Sequence, residues 1–135
     1  MTLVVDASVA LHWFFQGPER QRANAIIRSG EPLIAPDLVI AEMTNAAWGA
    51  TVFHGMSKQQ ATDVVSEASR FFSELVPLGA LKDRALAIAF ELRHPVYDCF
   101  YPALAELRNI TLVTADARLL RRCAGSSFAA RLRAL

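Results

Sequence analysis

The sequence predicts an α/β fold, with a mainly parallel sheet covered by helices on both faces. Three observations predict it. Short apolar runs rich in β-branched residues recur at Leu3–Val5, Leu33–Ala35, Leu75–Leu78 and Thr111–Thr114. Longer stretches of helical character separate them. An acid stands directly after the first of these runs, at Asp6, and another after the last with one alanine between, at Asp116. Strands that alternate with helices pair in parallel, because each crossover helix carries the chain back to the same end of the sheet.

Taken in order, Leu3-Val4-Val5 is the first strand and ends at Asp6. Ser8 to Phe15 reads as a helix stopped by Gly17-Pro18. Glu19 to Arg28 is a second helix, with Ala23, Ile26 and Ile27 inward and Gly30 as its stop. After the strand at Leu33–Ala35, Asp37 is expected to cap a long helix that runs to about Phe53 and ends at Gly55. Ser57 caps the next helix, to Phe72. The Leu75–Leu78 strand contains Pro77, which cannot donate to a ladder, so it is placed at an edge. Ala80 to Leu92 is helical until Pro95 breaks the pattern, and Tyr97 to Leu107 is helical with Pro102 near its first turn. Thr111–Thr114 is the clearest strand, and Ala117–Cys123 is a short helix. The last residues fit either strand or helix.

With 135 residues and no repeat or linker, the chain is expected to form one domain over residues 1–135. Hydrophobic residues make up 53% and mean hydropathy is +0.27, which requires a core covered on both faces or apolar surface kept for partners. No run reaches the ~18 apolar residues of a membrane span, and Met1 to Asp6 lacks the basic residues and apolar stretch of a signal peptide. A cytoplasmic location without membrane contact is therefore expected. Cys99 and Cys123 fit no metal spacing and no disulfide framework, and read as reduced structural thiols.

Asp6 and Asp116 fall at the carboxyl edge of a parallel sheet, where α/β folds collect ligands. Glu42, in the second turn of the long helix, and Asp98, opening the helix before the last clear strand, can overhang that edge. Crowded carboxylates repel one another, and a hard divalent cation resolves the conflict. Mg²⁺ takes one or two carboxylates, several waters and a substrate phosphate, so such a site suits phosphodiester hydrolysis by an activated water. Each aspartate also has an ordinary reading as a helix cap. Glu42, flanked by Ile40, Ala41 and Met43, is harder to read as a cap and has solvent exposure as its ordinary alternative.

In their contexts these acids resemble the PIN-domain family, and within it the VapC-type toxins of toxin–antitoxin pairs. The matching segments are Val4-Val5-Asp6-Ala7-Ser8, Ala41-Glu42 with Asn45 after it, Tyr97-Asp98, and Leu112-Val113-Thr114-Ala115-Asp116. The resemblance implies a single PIN domain with a three-layer α/β/α fold and a metal-dependent endoribonuclease using Mg²⁺ or Mn²⁺. It implies an RNA substrate, a homodimer and a cognate antitoxin that blocks the site. Asp6, Glu42, Asp98 and Asp116 take the positions of the acidic quartet. Asp6, Asp98 and Asp116 would hold the ion, with Glu42 as ligand or water-orienting base. Ser8, Thr114 and Asn45 would support them by hydrogen bonding. One departure is the bulky Asp98-Cys99-Phe100-Tyr101-Pro102, where the family commonly has Asp-Ala.

Other readings fit less well. A dehalogenase-type phosphatase needs a second acid two residues after the first, where Ser8 stands. A dinucleotide site needs a glycine-rich turn, and Ala7-Ser8-Val9-Ala10 has no glycine. A receiver domain needs paired acids before the phosphorylated aspartate and a lysine after a late strand, and neither is apparent. A PIN-like protein- or RNA-binding module without catalysis is the serious alternative, and retention of all four acids argues against it.

His12, His54 and His94 form no metal pattern, although His94 lies near enough to Asp98 to touch substrate. Ala117 to Leu135 carries Arg118, Arg121, Arg122, Arg131 and Arg133 and no acid, which suits phosphate contacts as well as a solvated face. Trp13-Phe14-Phe15 cannot all face one side of a helix, and these rings, with Trp48 and Phe53, are candidates for a dimer or antitoxin interface.

Overall fold

The computed structural model describes residues 1–135. Five strands form one sheet in the order β3-β2-β1-β4-β5, with β1 at Leu3–Val5, β2 at Leu33–Pro36, β3 at Glu74–Val76, β4 at Thr111–Thr114 and β5 at Leu132–Ala134. Every neighbouring pair is parallel. The expected mainly parallel sheet is therefore wholly parallel. The central strands β1 and β2 are buried throughout. That is why they read as continuous apolar runs rather than as alternating ones.

Between β1 and β2 lie α1 (Ala7–Ala10) and α2 (Arg20–Arg28); between β2 and β3, α3 (Leu38–His54) and α4 (Lys58–Ala68). Between β3 and β4 lie α5 (Lys82–Leu92) and α6 (Val96–Arg108), and α7 (Ala117–Cys123) joins β4 to β5. The chain steps outward from β1 through β2 to β3, then returns across the sheet to β4. With right-handed crossovers, the two directions put helices on opposite faces and give three layers. The reversal places a switch point between the carboxyl ends of β1 and β4, whose register pairs Val5 with Val113. No helix is long and apolar enough to cross a membrane.

Several local expectations are corrected. The Ser8–Phe15 segment is a single α-turn followed by a 3₁₀ turn at Leu11–Trp13, too short for a continuous helix. Asp37 precedes α3 in a helical conformation and its side chain makes no capping bond; its backbone N–H goes instead to the Val76 carbonyl. Ser57 does cap α4, in a reciprocal box with Gln60. Gly55 closes α3 with φ of 76°, a left-handed conformation that a side chain would strain. The β3 strand is an edge, as Pro77 suggested, but ends one residue before that proline. The ambiguous C-terminus is the opposite edge, β5.

Trp13 is also settled. It is 5% exposed, donates its indole N–H to the Ala23 carbonyl and packs against Phe71 and Phe72. It belongs to the core and not to an interface. Trp48 and Phe53 remain exposed on α3 and meet edge to face. Cys99 and Cys123 are free and buried, and burial pushes the Cys99 thiol up to about 12, so it stays an unreactive thiol.

Candidate metal centre

Asp6 is the centre of the arrangement. It leaves β1 at the switch point, is 5% exposed, and caps α1 by accepting the Val9 N–H at 3.2 Å. Ser8 Oγ donates to its Oδ1 at 2.5 Å and Thr114 Oγ1 to its Oδ2 at 2.5 Å. The same two hydroxyls reach across to the chain after β4. Ser8 Oγ accepts the Ala115 N–H and Thr114 Oγ1 accepts the Asp116 N–H. Ser8 and Thr114 thus tie the ends of β1 and β4 together through one carboxylate. Asp116 caps α7, accepting the N–H groups of Arg118 and Leu119 with the same oxygen, Oδ1. Capping and membership of the cluster are therefore not alternatives for Asp6 and Asp116.

Glu42 projects from the second turn of α3, half-buried, and accepts the Tyr101 hydroxyl at 2.5 Å. Asp98 lies in the first turn of α6, and His94 Nε2 stands 2.7 Å from its Oδ2. Helix α6 begins at Val96, so Pro102 lies beyond the first turn. Having no N–H, it leaves the Asp98 carbonyl without its usual helical partner four residues on. The Asp98 side chain is held from the other direction, by His94.

Electrostatics join the four acids into one set. Burial pushes the Asp6 carboxyl from 3.8 up to about 6, against the pull of the Ser8, Thr114 and Val9 hydrogen bonds and with the Asp116 charge adding to the rise. Burial likewise raises Glu42 above the usual glutamate range. The Tyr101 hydroxyl opposes that rise, and the charges on Asp6 and Asp98 add to it. Burial and the Glu42 charge hold the Tyr101 hydroxyl well above its usual range, so it remains a donor.

No three or more His, Cys, Asp or Glu side chains are brought together closely enough to hold a metal ion between them. The donor set nevertheless fits a Mg²⁺-type ion. That ion needs only one or two protein carboxylates, keeping the rest of its shell for water and phosphate oxygens. Asp6, Glu42, Asp98 and Asp116 offer oxygen only, the right chemistry for a hard cation.

The expected supporting residues divide. Ser8 and Thr114 bond the acids directly, whereas Asn45 is exposed on α3 and takes no part in those bonds. Tyr101 and His94 hold Glu42 and Asp98. In the sequence Tyr101 stands out only as bulk, and the signal available was a phenol three residues after Asp98, at helical spacing.

Thr114 carries a prediction. Thr114→Val removes a donor to Asp6 and an acceptor for the Asp116 N–H, both at a fully buried side chain. A loss of about 1–3 kcal/mol in urea unfolding is expected, with most of it restored by Thr114→Ser. Stability equal to wild type in Thr114→Val would remove the hydroxyl from the framework of the site.

A fully parallel α/β sheet with carboxylates gathered at its switch point defines a compact α/β domain with an acidic centre. The chain belongs to the PIN-domain family, whose model matches residues 3–125. Ribonuclease VapC3 of Pyrobaculum aerophilum is 28% identical over 124 residues, covering 90% of this chain and 95% of that protein. The crystal structure of a protein from the same organism superposes with a TM-score of 0.73 at 25% identity, covering 93% of this chain and 82% of that one. VapBC2 from Rickettsia felis, solved bound to a DNA fragment from its promoter, gives 0.69 at 13% identity over 100% of this chain and 99% of that one. A toxin–antitoxin complex from Klebsiella pneumoniae gives 0.65 at 16%, covering 97% and 95%. These last two likenesses are of fold.

Proposed function

We propose that this protein is a metal-dependent endoribonuclease, the toxin of a VapBC-type pair, which hydrolyses RNA phosphodiesters. The observation that carries the reading is the buried Asp6 carboxylate at the switch point, coupled by charge to Asp116 and Glu42. Burying a carboxylate among other carboxylates costs stability, and a cation-dependent reaction is the function that repays it. The kinship to a ribonuclease along nearly the whole chain supports the same reading.

In this reading Asp6, Asp98 and Asp116 hold Mg²⁺ or Mn²⁺, one or two of them directly and the rest through its waters, and Glu42 is a ligand or orients the attacking water. The bound ion supplies charge neutralisation at the phosphate and acidifies its water. Ser8 and Thr114 fix the Asp6 oxygens. Tyr101 fixes Glu42 and His94 fixes Asp98, so the acids are aimed before substrate arrives. A cognate antitoxin and a homodimer belong to the same proposal, supported by the exposed apolar residues Trp48, Val52 and Phe53 on α3. A cytoplasmic location follows from an RNA substrate.

The test is cleavage of a mixed small-RNA pool by purified, antitoxin-free protein with Mg²⁺, with Mn²⁺ and with EDTA. Cleavage is expected with either metal and not with EDTA. A folded wild type, stabilised by the metal yet cleaving nothing, would favour the reading as a binding module without catalysis.

A further inference from the structure

Beside the carboxylates lies a second feature that the four acids do not explain. His94, Arg118, Arg121 and Arg122 line a cavity of about 230 Å³ with no apolar residue in its wall. The three arginines stand on α7 at positions i, i+3 and i+4, on one helix face. None is paired with a carboxylate, whereas Arg70, Arg84 and Arg108 each are. Three unpaired guanidinium groups around one cavity repel one another until an anion enters. The remaining C-terminal arginines stand outside it: Arg131 bonds Asn109, and Arg133 lies on the edge strand β5.

The cavity is joined to the acidic cluster at two points. Its buried His94 is the residue that holds Asp98, and Arg118 follows Asp116 by two residues, in the first turn that Asp116 caps. An extended anionic polymer whose one phosphate lies at the acids therefore brings a neighbouring phosphate to the arginines.

We propose that His94, Arg118, Arg121 and Arg122 form a pocket for a backbone phosphate of the RNA adjacent to the one that is cleaved. The proposal rests on the nuclease reading for its substrate. The arginine fork suits phosphate oxygens, and a wall without apolar or aromatic anchors is unlike a protein-docking pocket. The pocket sets where the strand lies across the acids. It reads backbone and not bases, so it contributes affinity and register without sequence preference.

The test is equilibrium binding of a fluorescein-labelled 12-nucleotide RNA of mixed sequence, in EDTA so that nothing turns over, from 50 to 200 mM KCl. The double variant Arg121→Ala, Arg122→Ala is compared with wild type and with Arg28→Ala. Arg28 is an exposed arginine at the end of α2, which leads into β2, an interior strand on the far side of β1 from β4 and α7. The double variant is expected to bind about tenfold more weakly at 50 mM, with a salt slope shallower by about 0.7 for each phosphate no longer neutralised by an arginine. Arg28→Ala is expected to match wild type. Equal losses in both variants, an unchanged slope, or no RNA binding by wild type would overturn the pocket. So would an acidic peptide that binds wild type better than RNA does and loses affinity in the double variant. Wild type that binds RNA through the pocket but cleaves none with Mg²⁺ or Mn²⁺ would overturn the nuclease reading and leave the pocket standing.

Discussion

Asp6→Asn is expected to abolish metal-dependent RNA cleavage and, in the same protein, to raise the melting temperature of the metal-free form at pH 8. The first effect follows from removing the charge at the centre of the proposed cation site. It should exceed the roughly 10–100-fold loss typical of removing a residue that merely supports a metal ligand. The second follows from linkage. The folded-state value of about 6 lies above the ordinary 3.8. A raised value of this kind contributes stability that is fully present below about 3.8 and is lost as pH rises through about 6. Above that range the buried charge opposes folding by up to about 3 kcal/mol, the free-energy equivalent of the shift. Asparagine carries no such charge. Its oxygen can keep the Val9 and Ser8 bonds while its amide faces Thr114 Oγ1. That hydroxyl can then turn toward Ser8 Oγ, 3.3 Å away. Some hydrogen-bond quality is lost, so a net gain of about 1–2 kcal/mol is expected, or roughly 3–8 °C. The gain should vanish below pH 4, where both side chains are neutral. Thermal melts of the two EDTA-treated proteins at pH 4 and pH 8 decide it. A lower melting temperature for Asp6→Asn at pH 8, or retained cleavage, would mean that Asp6 is a structural cap and nothing more.

The parts of the site legible in the sequence are those tied to the sheet. A strand that ends in an acid fixes where the acid lies, because a parallel sheet has one carboxyl edge; hence Asp6 and Asp116 could be placed from Leu3–Val5 and Thr111–Thr114 alone. Thr114 and Ser8 were legible only through the family resemblance. Their bonds to Asp6 depend on the register that sets Val5 against Val113, and single-strand patterns do not encode register. The Tyr101–Glu42 and His94–Asp98 pairs show two kinds of difficulty. Tyr101 and Glu42 lie 59 positions apart on helices whose mutual placement no local signal gives. His94 is four residues from Asp98, but Pro95 between them hid the helical-type spacing. Asp37 failed for the opposite reason. Its composition suits a cap, yet the backbone N–H was already committed to β3 and the residue took a helical conformation. Trp13 and Phe53 were indistinguishable as apolar aromatics; only tertiary packing put the first in the core and left the second exposed.

The wild type should respond to Mn²⁺ or Mg²⁺ in a strongly pH-dependent way. Ions that bind only the folded state stabilise it by about 2.7 kcal/mol at a hundredfold excess over Kd. Below about pH 6 the ion must displace the proton on Asp6, so apparent affinity should fall by up to tenfold per pH unit. The slope steepens if the proton on Glu42, whose value is also raised, must leave too. Without metal the trend runs the other way. Both raised carboxyls favour folding most when protonated, so metal-free stability should decline from pH 5 toward pH 8, with Asp6 alone accounting for about 1 kcal/mol. The arginine-paired Glu74 and Glu106 have lowered values and the opposite sign. They titrate lower and sit largely in solvent, so they add little in this window. The increment in melting temperature from saturating Mn²⁺ should therefore grow from pH 5.5 to pH 8 in wild type. In Asp6→Asn it should be small and flat. An increment equally large at both pH values in wild type would show that the ion and the Asp6 proton do not compete. The cation would then lie elsewhere on the protein, and the raised Asp6 would be a cost of packing α1 against the β1–β4 junction.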